Sequence, residues 1–143
     1  MLEHVHYLGH ELVKSSFELL NREPGGKGYY KYAVKNAPKA EIIERDNKTK
    51  LTKLLMNSSV TGYLGDDDEN DNSEKVFELS LEFILNFDFP KDFAHISNCI
   101  DENFWYFENY AYLASRNIAN AILEHSSQVS SVYLPTHRVH QED

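Results

Sequence analysis

The sequence predicts an α+β fold, with a four-stranded antiparallel sheet followed by one long helix. Three observations carry that expectation. Apolar and polar residues alternate strictly over 76–89, a repeat free of Gly and Pro runs over 101–125, and the strand-like segments upstream have no crossover helix between them.

The clearest strand has Phe77, Leu79, Leu81, Phe83, Leu85, Phe87 and Phe89 on one face and Glu78, Ser80, Glu82, Ile84, Asn86 and Asp88 on the other. One dry face and one wet face is the pattern of an antiparallel sheet. Before it, residues 65–74 are too polar to bury and too repulsive to pack, and are expected to be a mobile hairpin tip. Val60-Thr61-Gly62-Tyr63-Leu64 ends a strand beginning near Lys50, although Leu51, Leu54 and Leu55 also have helical spacing. Tyr30, Tyr32 and Val34 alternate with Lys31, Ala33 and Lys35 in a strand that continues to Ile43, bent or at an edge at Pro38, with Asp46-Asn47 as the turn. The first strand has Val13, Ser15, Phe17 and Leu19 alternating with Lys14, Ser16, Glu18 and Leu20, and Pro24-Gly25-Gly26 closes it.

The helix places Phe104, Phe107, Ala111, Ala114, Ile118, Ala121 and His125 at steps of three and four. Asp101 is its expected cap, and Ile100 and Trp105 stand at the positions of a hydrophobic staple. Its first half is apolar nearly all round, with Trp105, Tyr106, Tyr110, Tyr112 and Leu113, more than one sheet face can cover, so a second protein surface is expected there. After Ser126-Ser127 comes an extended apolar segment, Val132-Tyr133-Leu134-Pro135.

At 143 residues and 41% apolar, the chain is long enough for one domain, 1–143, with a core at about 12–135 and loose ends. Fourteen Lys and Arg against 23 Asp and Glu give a charge of -9, which opposes adsorption to nucleic acid or an anionic membrane. Proteins or small molecules are the expected partners. The single Cys99, an amino terminus without the basic start and apolar core of a secretion signal, and no apolar run longer than 110–114 point to a cytoplasmic protein.

His4, His6 and His10 share parity, so a regular strand would present three imidazoles on one face, and His137 and His140 form a second cluster. No acidic or cysteine ligand accompanies either, so no metal is assigned. A calcium loop starting at Asp67 fails because Asn72 stands where glycine is required and Lys75 occupies a ligand position. Gly25-Gly26-Lys27-Gly28 leads into a strand rather than a helix, which makes a poor phosphate cradle. His95 and Cys99 have the spacing of one helix side but precede the expected helix. No catalytic constellation and no cofactor site emerge, so the chain is not read as an enzyme. The tyrosines, phenylalanines and single tryptophan are core on one reading; on the other, some line a groove for apolar peptide segments.

The order of elements and several short motifs resemble the SecB family of export chaperones. The matching residues are Ser16-Phe17, Asn21, Pro24, Tyr29-Tyr30, Val60-Thr61-Gly62-Tyr63-Leu64-Gly65 with the acidic tip, the strand at Phe77, and the helix followed by Val132-Tyr133-Leu134-Pro135, covering about residues 12–135. The resemblance implies a homotetramer, a dimer of dimers, that holds unfolded or partly folded clients. Carried over position by position, it implies that Tyr29, Tyr30, Tyr133 and Leu134 flank a client groove, and that Phe107, Tyr110, Ala111 and Ala114 form the subunit interface. It also implies that Glu78 and Glu82 form an acidic face for the export motor SecA. The chain departs from the family in its longer acidic tip and in stopping soon after Pro135. The expected function is that of an ATP-independent cytoplasmic holdase. The alternatives are an oligomeric adaptor for one folded partner and, third, an enzyme with histidine-bound metal.

Overall fold

The computed structural model describes residues 2–21, 28–45, 49–65 and 74–125. Within them the chain forms β1 (His6–Leu19), β2 (Gly28–Glu44), β3 (Thr49–Leu64), β4 (Lys75–Pro90), α1 (Ile96–Glu102) and α2 (Phe104–Leu123), with a 3-10 turn at Leu2–His4. The strands pair antiparallel in the order β1-β4-β3-β2, so β1 and β2, consecutive in sequence, lie on opposite edges. The α+β class and the four strands agree with the sequence. Residues 66–73 of the acidic tip, the turns at Pro24-Gly25-Gly26 and Asp46-Asn47, and everything after His125 lie outside the described residues.

Directly paired residues share a face, so the register divides the sheet into two surfaces. On one, Phe77, Leu79, Leu81, Phe83, Leu85, Phe87 and Phe89 of β4 line up with Val60, Met56 and Leu54 of β3, and all are buried. Gly62 lies opposite Phe77, and any Cβ there would run into the Phe77 ring; the missing side chain is what leaves room for that ring. The ambiguous middle of β3 resolves as strand because its alternate residues Thr52, Leu54, Met56, Ser58 and Val60 are buried against β4. A register shift between Asn36 and Ala40 brackets Pro38, as expected of a residue with no N–H to give to the ladder.

β1 begins earlier than the alternation suggests, at His6, because two bulges interrupt its parity. Register shifts between Tyr7 and Gly9 and between Leu12 and Lys14 leave Leu8 and Val13 as the extra residues. Gly9 carries φ +117°, a conformation open to glycine and strained for other residues.

The single long helix is corrected to two. β4 ends at Pro90, His95 turns the chain with φ 60°, and α1 runs for seven residues. Asn103 then breaks the helix: its φ of -119° leaves helical geometry, while its backbone N–H and its Nδ2 both donate to the Cys99 carbonyl, at 3.0 and 2.9 Å. Asp101 therefore lies inside α1 instead of capping α2, and Trp105 is 52% exposed instead of stapled. The buried stripe of α2 is Phe107, Ala111, Ala114, Ser115, Ala119 and Leu123, while Ala121 and His125 are exposed. A straight helix rotates its dry face away from a strict three-four repeat, and the last two expected positions fall off it.

α2 packs across the core face. Phe107 meets Phe87 edge-on at 4.9 Å, and Tyr110 lies over Tyr7 at 4.4 Å and Phe87 at 5.4 Å. Each fully buried aromatic in this cluster contributes on the order of 2 kcal/mol through removal of apolar area from water.

Candidate functional site

One helix cannot cover a four-stranded sheet. The exposed large apolar residues are Leu8, Leu12, Val13 and Leu20 on or beside β1, Tyr30 and Ile42 on β2, and Trp105 and Leu113 on α2. Both sheet edges and the outward side of the helix thus carry uncovered apolar side chains. Trp105, Asn109, Leu113, Asn117 and Ala121 follow one another at four-residue intervals along α2 without a charge. Edge strands also offer unpaired backbone groups along one side, and here apolar side chains stand beside them.

At the β2 edge, α2 and the sheet meet in a polar seam set in aromatics. The Tyr32 hydroxyl hydrogen-bonds the Ser115 hydroxyl, which also donates to the Tyr112 carbonyl at 3.2 Å. Burial is the main reason the Tyr32 phenol is pushed up to about 12, with the Ser115 hydrogen bond and the Arg116 charge pulling the other way. The Arg116 guanidinium lies 5.2 Å from the ring centroids of both Tyr32 and Tyr112. Tyr30, two residues along the same face of β2, carries the aromatic surface into solvent.

The opposite face of the sheet carries charges of both signs. Lys53 Nζ is 3.1 Å from Glu11 Oε1, and Asn86 Nδ2 donates to the same oxygen at 3.0 Å. Those two hydrogen bonds, that of Lys53 first, hold the Glu11 carboxyl below its ordinary range. Lys75 Nζ is 2.9 Å from Glu78 Oε1, which raises the ammonium above its ordinary range. Lys14 stands opposite Glu82. Between these rows the small side chains Ala33, Ser59 and Ser80 leave a shallow depression of about 330 Å³.

The residues singled out from sequence are placed as follows. Tyr29 and Tyr30 sit side by side on the β2 edge but on opposite faces, so one groove wall cannot use both. Tyr29 stacks on Tyr63 at 5.1 Å on the charged face, and Tyr30 lies on the core face. Tyr133 and Leu134 lie outside the described residues. Phe107, Ala111 and Ala114 are 2% exposed or less within the single chain, against its own sheet, and Tyr110 packs on Tyr7, Phe87 and Tyr106. They are therefore occupied inside the subunit, and the helix surface open to a second molecule is the Trp105 and Leu113 side. Glu78 and Glu82 do face outward, but beside Lys75 and Lys14 they form part of a mixed surface and not an acidic one.

The histidine expectation fails on backbone geometry. His4 lies in the 3-10 turn, and the bulge at Leu8 and Gly9 puts His6 with Asp88 on the outer face and His10 with Leu85 on the core face. Among the described residues no group of three or more His, Cys, Asp or Glu converges; His137 and His140 lie outside them. Cys99 and His95 do fall together, in α1 and at its amino end, but the thiol is buried and pushed up chiefly by that burial, the reverse of an activated nucleophile. Among the described residues no helix is long and apolar enough to cross a membrane.

Sequence reasoning missed two features, the exposed apolar residues of β1 and Arg116, while the uncovered Trp105 and Leu113 match the surplus of apolar surface expected on the first half of the helix. Arg116 did leave a signal, since it is the one basic residue in the twenty of α2.

No protein-family model matches the chain, and no curated protein matches it in sequence. Among solved structures, it is similar to the Mycobacterium tuberculosis SecB-like chaperone Rv1957, solved in complex with a ChAD peptide from the Rv1956 HigA1 antitoxin. The similarity covers 93% of this chain and 90% of that one, with a TM-score of 0.55 and 11% sequence identity. At that identity it establishes fold and nothing finer, and the element order agrees with the family resemblance read from the sequence. This chain has the SecB-like fold.

Proposed function

We propose that the protein is an ATP-independent cytoplasmic holdase that binds extended apolar segments of non-native polypeptides along its sheet edges. The observation that supports this reading best is the distribution of uncovered apolar residues. Leu8, Leu12, Val13, Tyr30 and Ile42 lie on strands whose outer backbone edge has no strand partner among the described residues, on a fold shared with a chaperone solved with a bound peptide. An extended segment gains main-chain hydrogen bonds from such an edge and buries its side chains on the neighbouring apolar ones. Assembly into a homotetramer through the Trp105 and Leu113 face of α2 belongs to the same proposal. The charge of -9 keeps a loaded complex soluble. A role in export through SecA draws less support, because the outer sheet face is of mixed sign.

A second reading is favoured by one specific observation, that the structural neighbour is solved with a peptide of a single antitoxin. On that reading the chain is an adaptor dedicated to one partner. The test is aggregation of chemically unfolded model proteins, followed by light scattering without nucleotide. Suppression of several unrelated clients at stoichiometric amounts supports the holdase. No effect on any of them overturns it, and an effect confined to one client moves the assignment to the adaptor.

A further inference from the structure

The uncharged row on the outward side of α2 is complementary to its own reverse. Trp105, Asn109, Leu113, Asn117 and Ala121 are spaced four apart with Leu113 in the middle. Turning the row end for end about Leu113 sets the largest side chain, Trp105, against the smallest, Ala121, and sets Asn109 against Asn117. Trp105, Leu113, Asn117 and Ala121 are all exposed. The asparagines have amide groups to spare: Asn109 commits its Nδ2 to the Trp105 carbonyl at 2.9 Å, and Asn117 makes no hydrogen bond among the described residues. The only charges in α2, Glu108 and Arg116, lie off the row.

We infer that two copies of this chain pack α2 against α2 antiparallel, across a two-fold axis at Leu113, with Asn109 of each copy hydrogen-bonded to Asn117 of the other. The inference rests on the assembly part of the reading above and gives it a direction and a centre. Residues four apart form a ridge on a helix, and two such ridges interlock at a crossing angle of about -50°. A two-fold interface requires a patch that fits itself, and this row does. Leu113 meets its own copy on the axis, and the long indole fills the space over Ala121. A shift of one step along the row would set each asparagine against an apolar residue and leave a covered amide unpaired, which is costly. A parallel arrangement would set indole on indole and leave a gap between the alanines.

The test uses the full chain, with wild type as the control for the buried Cys99. Leu113→Cys, Asn109→Cys and Asn117→Cys are oxidised with copper phenanthroline and read on non-reducing gels, at a concentration where ultracentrifugation shows wild type assembled. L113C should cross-link to itself, because a residue on the axis faces its copy within disulfide reach. N109C and N117C should cross-link about tenfold faster when co-expressed than alone, since only the mixed pair brings its sulfurs together. Leu113→Arg, which sets like charges on the axis, should lower the assembled mass to about half, and carries the test if L113C melts early. Assembled protein in which L113C stays uncross-linked overturns the inference and leaves the assembly reading standing. N109C that cross-links alone as fast as the mixed pair also overturns it, since the helices would then be parallel. Wild type that is monomeric at every concentration overturns both.

Discussion

β1 and β4 are paired neighbours of similar length, yet one is a surface and the other is the core. β4 has β1 on one side, β3 on the other and α2 above, so every alternate residue from Phe77 to Phe89 is buried. β1 has one strand neighbour among the described residues and two bulges, meets the helix at Tyr7, and leaves Leu8, Leu12 and Val13 about half exposed. Both strands carry apolar side chains, so composition does not distinguish them; their places in the sheet do. An apolar pattern identifies residues that need cover, and topology decides which receive it inside the chain. The remainder is the surface that the proposed client binding and assembly would use.

Breaking the covered side should cost most. Phe87→Ala removes a ring packed on Tyr7, Phe107 and Tyr110 and should lower stability by about 3–5 kcal/mol in urea unfolding. Leu12→Ala, at 48% exposure on the paired strand, should cost well under half of that while weakening client capture. Next in size is Gly62→Ala, where a Cβ collides with the Phe77 ring; about 1–3 kcal/mol is expected from overpacking.

Tyr32→Phe removes the phenol at the helix seam and should cost about 1 kcal/mol, with Ser115 still bonded to the Tyr112 carbonyl. It should also change the alkaline limb of stability. The folded phenol titrates at about 12 against 10 for the ordinary group, so the unfolded chain loses its proton first. Wild-type stability therefore falls as pH rises from about 10 to 12, and the fall should be smaller in Tyr32→Phe when unfolding is followed across that window. Smallest of all on the single chain is Trp105→Ala, expected within about 0.5 kcal/mol because the indole is half exposed. The same change should weaken self-association, seen as a lower mass by light scattering at equal concentration. In wild type the only tryptophan should shift its emission to the blue as assembly covers it.

What could be read from the sequence was what local chemistry decides. The strict alternation of β4 gave its extent to within a residue at each end, and turn residues separated the other strands. The bulges of β1 could not be read this way: Leu8 and Val13 look like ordinary alternation until the partner strand shows that each is one residue too many. Strand order is set by pairing across the whole chain, which no local pattern encodes. The helix break at Asn103 is a backbone departure at a single residue, which apolar periodicity does not see. At the candidate site, period two correctly separates Tyr29 from Tyr30 once β2 is known to be a strand. The family resemblance implies an interface between copies at Phe107, Tyr110, Ala111 and Ala114, yet Phe107, Ala111 and Ala114 are buried in the chain's own core.

Hydrogen exchange of the full chain, with and without an equimolar unfolded client, tests most directly whether the uncovered edges are the working surface. Slowed exchange in β1 and β2 on adding client is expected, with β3 and β4 unchanged because their amides are already paired on both sides. A client that binds while exchange at both edges stays as it was would contradict that assignment.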